Sequence, residues 1–525
     1  MILAPKSLFR LTLLLLLCAI YVLPQAQAQT KVDLNKLDTY YQKALKDWNV
    51  PGMAIAIVKG DSVIFAKGYG VLDNKKGGTV DANSVFGIAS NSKAYTAAAL
   101  ATLVDAGKIN WKDKVKKYVP NLQLYDPFVT ENLTIEDLLS HRVGLKTFSG
   151  DLLWYNTTYS REEIIHRMRY LKPTYGFRDG YGYSNLMFIT AGQVVENVTG
   201  KTWENYIKET FLQPLGMSRT YTSVNELKGV SNVASPHGFD ENGNPYATTQ
   251  VAWDNWNPAA GIFTSVNQQA QWMRLQLNRG MYNGKRIFSE NSSRNMWAAH
   301  NPMPISKRAE EITPSTHFAA AGLGWFVSDY QGRKLIYHGG GHEGMNSRTV
   351  LVPEENLGVV ILTNSMSSIM SPLANYTIDQ FLEIENSRDW SRFNLDAMAQ
   401  AKKQSEEKKS KEKKKSAKAT RNLNEYVGTY RSQVYGDATI TLKNGKLELQ
   451  LVPAPALGGT LDFWQHEIFN LDWKNKFALL HPTKVRFLTG EDGSIAEMRL
   501  DSNNPDFHFD ELEFVKVKTN TSAKL

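Results

Sequence analysis

Phe86-Gly87-Ile88-Ala89-Ser90-Asn91-Ser92-Lys93 is an apolar approach that ends in Ser-x-x-Lys and runs into an Ala-rich stretch to Leu103. The Ala-rich stretch, Ser92 to Leu103, reads as a helix. If that helix starts near Ser90, Lys93 lies one turn on, on the same face, within reach of the Ser90 hydroxyl. A serine hydroxyl is a weak nucleophile until a neighbour takes its proton. A lysine held in a desolvated pocket loses its proton more readily and can be that neighbour. Free N–H groups at a helix N-terminus also face any oxyanion that develops there. The pattern alone fits an ordinary helix cap equally well. It recurs at Ser405-Glu406-Glu407-Lys408 and Ser410-Lys411-Glu412-Lys413, in a lysine-rich tract where it is a chance match.

Outward from Ser90 the chain reads as mixed α/β. Met53 to Val58 and Ser62 to Ala66 are strands joined at Lys59-Gly60-Asp61. Thr134 opens a short helix to Leu139 through Thr-x-x-Asp, close to a capping box. Lys334 to Tyr337, Thr349 to Val352 and Val359 to Thr363 are further strands. Strands at both ends and a helical middle predict one antiparallel sheet, whose first and last strands meet, beside a helical subdomain.

Two further elements carry chemistry. Tyr183-Ser184-Asn185 follows a loop bearing Gly176, Gly180 and Gly182 and precedes an apolar helix from Leu186 to Val194. A phenol beside a lysine ammonium can act as base, or as acid to a leaving group. Asn185 is placed to orient the lysine or a substrate. His338-Gly339-Gly340-Gly341 ends the strand Lys334 to Tyr337. Its small residues let a substrate lie against a strand edge, and a glycine amide there can serve as an oxyanion donor. His338 is expected to face the cleft as a donor, mostly neutral near pH 7.

These three boxes, in this order, resemble the serine β-lactamase and penicillin-binding superfamily. The nearest likeness is its class C β-lactamase-like branch of D-aminopeptidases, D-Ala-D-Ala carboxypeptidases and esterases. Leu138-Leu139-Ser140-His141 with Gly144-Leu145, Pro214-Leu215-Gly216-Met217, and Ala260-Gly261-Ile262 with Ser265 match as well, so the resemblance covers residues 32 to 385. It implies Ser90 as acylated nucleophile, Lys93 as its activator and Tyr183 as general base or acid. Asn185 becomes a substrate contact, the Ser90 and Gly341 amides an oxyanion hole, and the reaction two-step acyl transfer without cofactor or metal. The third box departs from the family's usual Lys-Thr-Gly. The fixed cation that holds a β-lactam or D-Ala carboxylate is absent, which puts β-lactamase activity in doubt. The implied substrates are small amides, esters or peptides, D-amino-acid peptides among them. A β-lactamase or carboxypeptidase acting on penicillins or peptidoglycan, and a non-catalytic binding protein, are the alternatives.

Composition agrees. The 525 residues are 42% hydrophobic with a single cysteine, Cys18, which excludes a disulfide framework. Lys6 and Arg10, the apolar run Leu11 to Leu23 and Ala26-Gln27-Ala28 read as a signal peptide over residues 1–28, so an exported, periplasmic or secreted chain without a membrane span is expected. The formal charge of +8 comes from that leader and from Lys402 to Lys418, with nine Lys and three Glu. The remaining surface is near neutral and is not a nucleic-acid footprint. Hence residues 29–385 form the hydrolase-like domain and 386–422 a Lys/Glu-rich linker, either a solvated helix or a tether.

Residues 423–525 read as all-β. A hairpin turns at Asn444-Gly445 between Thr439 to Leu442 and Lys446 to Leu451, with strands expected at Lys476 to Leu480, Val485 to Leu488, Ile495 to Leu500 and Leu512 to Val517. Tyr426-Val427-Gly428-Thr429-Tyr430 resembles a lipocalin-like β-domain. Gly339 to Gly344 fits a dinucleotide fingerprint only as a string, since a strand and not a helix follows it. His338 and His342 lack a third metal ligand. No Gly-x-Ser-x-Gly is present, which removes an α/β-hydrolase. The oligomeric state is not readable.

Overall fold

Gly52–Lys59 (β1) is buried from Gly52 to Val58, because it has a strand on either side and helices on both faces. The computed structural model describes residues 32–409 and 421–518, apart from 241, 249, 252, 253, 476 and 478. The expected signal peptide lies outside the described residues. The remaining strands of the main sheet are Ser62–Asp73 (β2), Gly77–Thr79 (β3), Asn301–Met303 (β4), Ala319–Ala321 (β5), Phe326–Tyr330 (β6), Arg333–His342 (β7), Met345–Val352 (β8) and Leu357–Thr363 (β9). They pair antiparallel in the order β4–β5–β6–β7–β8–β9–β1–β2–β3. The first and last strands do meet, with Met53 opposite Thr363 and Lys59 opposite Leu357.

The period of two divides the core. Met53, Ile55 and Ile57 join Val359 and Ile361 against Leu34–Asp47 (α1) and Met370–Phe381. Ala54, Ala56 and Val58 face the opposite way with Val360 and Leu362, against the helix Val266–Leu277, in the core that also holds Ser92–Asp105 (α2). That helix is buried almost all round, which explains its uniformly apolar, Ala-rich sequence. Beyond it lies the helical subdomain, whose longest helix is Asn185–Thr199 (α3). Thr134 closes the expected capping box with Asp137.

The expected linker begins as the helix Trp390–Lys409, moored by Trp390, which is buried and donates to Asp379 at 2.7 Å. Residues 410–420 lie outside the described residues.

The C-terminal segment is a closed eight-stranded barrel. Its strands are Gly428–Ser432, Gly436–Lys443, Lys446–Leu451, Gly458–Gln465, Ile468–Trp473, Thr483–Thr489, Ile495–Ser502 and Phe514–Lys516. Asn444 and Gly445, at φ 48° and 77°, make the expected hairpin turn. The strand expected at Lys476 to Leu480 is corrected: Phe477, Leu479 and Leu480 lie in a connection, and the barrel strand before it is Ile468–Trp473. Among the described residues no helix is long and apolar enough to cross a membrane.

Candidate active site

Ser90 sits in the tight turn Ala89–Asn91 that runs directly into α2. Ala89 adopts φ 45°, a left-handed conformation unusual for a residue with a Cβ, so the turn is held rather than relaxed. Strand β8 holds it. Ser347 donates its hydroxyl to Ile88 O at 2.6 Å and accepts Asn91 Nδ2 at 2.8 Å. Gly340 of β7 closes the turn from beneath, where a Cβ would collide with Ile88 O and come within 3.0 Å of the Ser90 amide nitrogen. The neighbouring glycines Gly339 and Gly341 line the cleft, and Gly340 does not. Gly340, expected beside substrate, is placed under the Ser90 turn, where its lack of a side chain is needed. Pairing of β7 with β6 ends at Phe326 opposite Tyr337, so from His338 onward that edge of β7 has no strand beside it.

Lys93 is fully buried, one turn after Ser90. Its Nζ lies 3.0 Å from Ser90 Oγ, 2.6 Å from Asn185 Oδ1 and 3.0 Å from Ala259 O. The two carbonyl oxygens can only accept. In the neutral amine they occupy both N–H bonds, and the lone pair is left for the Ser90 hydroxyl. Burial pushes Lys93 down to about 7; the charge that Asp151 carries when it ionises acts in the opposite direction. Asn185 is fixed in turn by donating Nδ2 to Asp151 Oδ2 at 2.6 Å. Burial is also the main cause that raises Asp151 to about 8.

The Tyr183 phenol shares a side-chain hydrogen bond with Ser90, and the Lys93 ammonium position is 4.8 Å from its ring centre. Burial drives the phenol well above its ordinary value, so Tyr183 keeps its proton at neutral pH. His141, also buried and held neutral, stacks on Tyr183 at 4.4 Å and accepts the Ser184 amide on Nδ1.

His338 is 2% exposed, and burial, followed by the charge of Lys93, lowers it to about 3. Its Nδ1 lies 2.6 Å from the Gly339 carbonyl, which can only accept, so Nδ1 carries the proton. Nε2 is then an acceptor, buried and without a partner among the described residues. The expected donor is corrected to an acceptor, because the adjacent carbonyl fixes the tautomer.

These groups open on a cleft of about 400 Å³, walled by Phe148, Trp154, Tyr181, Trp256 and Phe326. The barrel supplies the outer wall through Leu479, Asp506 and Phe507. Phe507 packs on Tyr155 at 4.2 Å, His508 Nε2 donates to Thr147 O at 2.7 Å, and Glu343 bridges Tyr155 and the Leu479 amide. Asp151 and the barrel wall were not foreseen from sequence. No motif surrounds Asp151, and the barrel residues sit in loops whose placement depends on docking.

Comparison with known proteins places this geometry. The family model described as Beta-lactamase matches residues 37–382, and one described as Domain of unknown function (DUF3471) matches 412–516. The chain is 29% identical over 427 residues to the unguisins hydrolase ungD' of Aspergillus campestris, covering 76% of each. It is 26% identical over 355 residues to protein flp of Staphylococcus aureus, covering 66% of each. The octameric penicillin-binding protein homologue from Pyrococcus abyssi superposes with a TM-score of 0.60 at 20% identity, over 92% of this chain and all of that one. The sheet and the family match agree, and the chain belongs to the β-lactamase and penicillin-binding superfamily of serine hydrolases.

Proposed function

We propose that the protein hydrolyses small amides or esters bearing a free amine, D-amino-acid peptides among them, through an acyl-Ser90 intermediate. The observation that carries this reading is the lone pair of Lys93, left for Ser90 by two carbonyl acceptors. Lys93 takes the Ser90 proton as Oγ attacks the carbonyl carbon, and the Ser90 and Gly341 amides receive the oxyanion. The carbon–nitrogen or carbon–oxygen bond then breaks. The leaving group takes a proton from Tyr183, which recovers the one held by Lys93. Water repeats the sequence on the acyl ester and frees Ser90.

The substrate class follows from the lining. The acidic side chains on the cleft wall are Asp151 and Asp506, and His338 offers an acceptor. A β-lactamase or D-Ala-D-Ala carboxypeptidase requires a cation for its substrate's carboxylate, and among the described residues no Lys or Arg lines this cleft. A relative named as a hydrolase favours turnover over a purely binding role. Export to the periplasm or medium, and a lipocalin-like ancestry of the barrel, are parts of the same proposal and rest on residues 1–28 and 426–430.

Intact mass after a fluorophosphonate probe tests the chemistry. One adduct on wild type and none on Ser90→Ala is expected; an unlabelled wild type overturns it. Aminoacyl amides of both hands, short-chain esters and nitrocefin then rank the substrates, and preference for nitrocefin overturns the amine reading.

A further inference from the structure

Glu511 of the barrel reaches the hydrolase domain beside the catalytic lysine. One of its carboxylate oxygens accepts Ser149 Oγ at 2.7 Å and the other the Gly150 amide at 2.8 Å. Gly150 lies at φ 77°, and a Cβ there would come within 2.5 and 2.6 Å of the Leu171 and Leu186 side chains. The joint is therefore tight, and Glu511 is its outer clamp. The next residue, Asp151, opens the turn Asp151–Leu153 and holds the Asn185 amide at 2.6 Å. The other end of that amide holds Lys93 Nζ at 2.6 Å. An unbroken path thus leads from the barrel carboxylate through the 149–151 turn and Asn185 to the base.

We propose that Glu511 is a positioning residue for Lys93, so that the barrel domain completes the catalytic centre by clamping the turn that carries Asp151. The inference rests on the reading of Ser90 and Lys93 as nucleophile and base.

The charges around the path give the clamp a measurable signature. Asp151 faces Lys93, Asn185, the Trp154 indole and Glu511. Lys93 faces Asp151, the Tyr183 ring and the imidazoles of His141 and His338. Glu511 itself has Lys146 Nζ at 3.8 Å. The negative charge of Glu511 adds to burial in keeping Asp151 protonated. Without it, Asp151 ionises at lower pH, and an ionised Asp151 makes Lys93 hold its proton to higher pH. The form of Lys93 able to accept the Ser90 proton then becomes scarcer at neutral pH.

The test is the pH dependence of fluorophosphonate labelling of Ser90 in the full chain. In that step the Ser90 oxygen–phosphorus bond forms, the phosphorus–fluorine bond breaks, and the serine proton passes to Lys93. Glu511→Gln keeps an oxygen acceptor and removes the charge. Its acid limb is expected to rise by about one pH unit, which slows labelling below the limb about tenfold. Glu513→Gln, which removes an exposed barrel carboxylate paired with Lys172, leaves the limb in place. In an Asp151→Asn background, adding Glu511→Gln no longer moves the limb. A wild type that labels, with the same limb in Glu511→Gln, overturns this inference alone. A wild type that takes no probe at any pH overturns the hydrolase reading and this inference together. Should Glu511→Gln fail to fold, Ser149→Ala removes one of the clamp's two hydrogen bonds. Labelling slower than in Glu513→Gln supports the clamp, and equal labelling overturns it.

Discussion

Gly340 lies directly beneath Ser90: a Cβ on it would stand 3.0 Å from the Ser90 amide nitrogen and 2.5 Å from Ser347 Oγ. The collision partners are backbone and a buried hydroxyl that already holds Ile88 O, so nothing nearby can yield cheaply. Gly340→Ala is expected to shift the nucleophile turn and lower kcat/KM by about a hundredfold. Gly339→Ala, whose Cβ meets only Ser347 O at 3.8 Å, keeps Ser90 reactive toward a fluorophosphonate. Equal labelling of the two variants would remove the steric argument.

The rate should fall on the acid side of about pH 7, where Lys93 gains its proton and its lone pair is lost. Lys93→Arg keeps a cation that cannot deprotonate, and is expected to lose activity by a factor of about a thousand or more. A pH profile of kcat/KM checks both. An acid limb two units lower would point to another base.

Fold stability should carry its own pH dependence. His338 is neutral in the fold with a value of about 3, against an ordinary value near 6.5 once unfolded. Below pH 6.5 the unfolded chain binds the extra proton, so stability declines as pH falls from 6.5 toward 3 and levels off below that. Each unit in that window costs about 1.4 kcal/mol from this group. Melting temperatures of wild type and His338→Gln, compared at pH 7 and pH 5, should converge or cross in the variant's favour at the lower pH.

A partly buried ionic cluster centres on Asp137. Asp137 is fully buried and accepts from Arg142, Arg178 and Thr134, while Arg142 also holds Glu136. Arg142→Ala strips a partner from both carboxylates and is expected to cost about 3 kcal/mol in denaturant unfolding. A loss below about 1 kcal/mol would mean that solvent reaches Asp137.

Much of this was legible in the residues. β1 and β9 are runs of apolar residues and α2 is an Ala-rich stretch, whereas Ser90, Lys93, Tyr183 and Asn185 stood out through the resemblance of three boxes in order and not by spacing alone. The strand Ile468–Trp473 was missed although buried Phe469, Leu471 and Trp473 alternate with exposed Asn470 and Asp472, because Asn and Asp are uncommon in strands. His338 looked like a donor because its tautomer is set by a carbonyl that only the backbone path brings within 2.6 Å. Asp151 and Glu511 carry no local signal at all. Their meaning arises from a docking of two domains that no window of sequence contains.

The pairing of β1 with β9 has a consequence for how the molecule is made. Strand β1 finds one of its two neighbours roughly 300 residues later in the chain. A ribosome that has emitted only the first half has released a strand that is apolar from Met53 to Val58, with β2 on one side and a bare hydrogen-bonding edge on the other. Such an edge templates pairing between nascent chains. Closing the sheet must therefore wait for synthesis to pass Thr363, and until then this half-finished sheet needs a chaperone or dilution to stay out of aggregates.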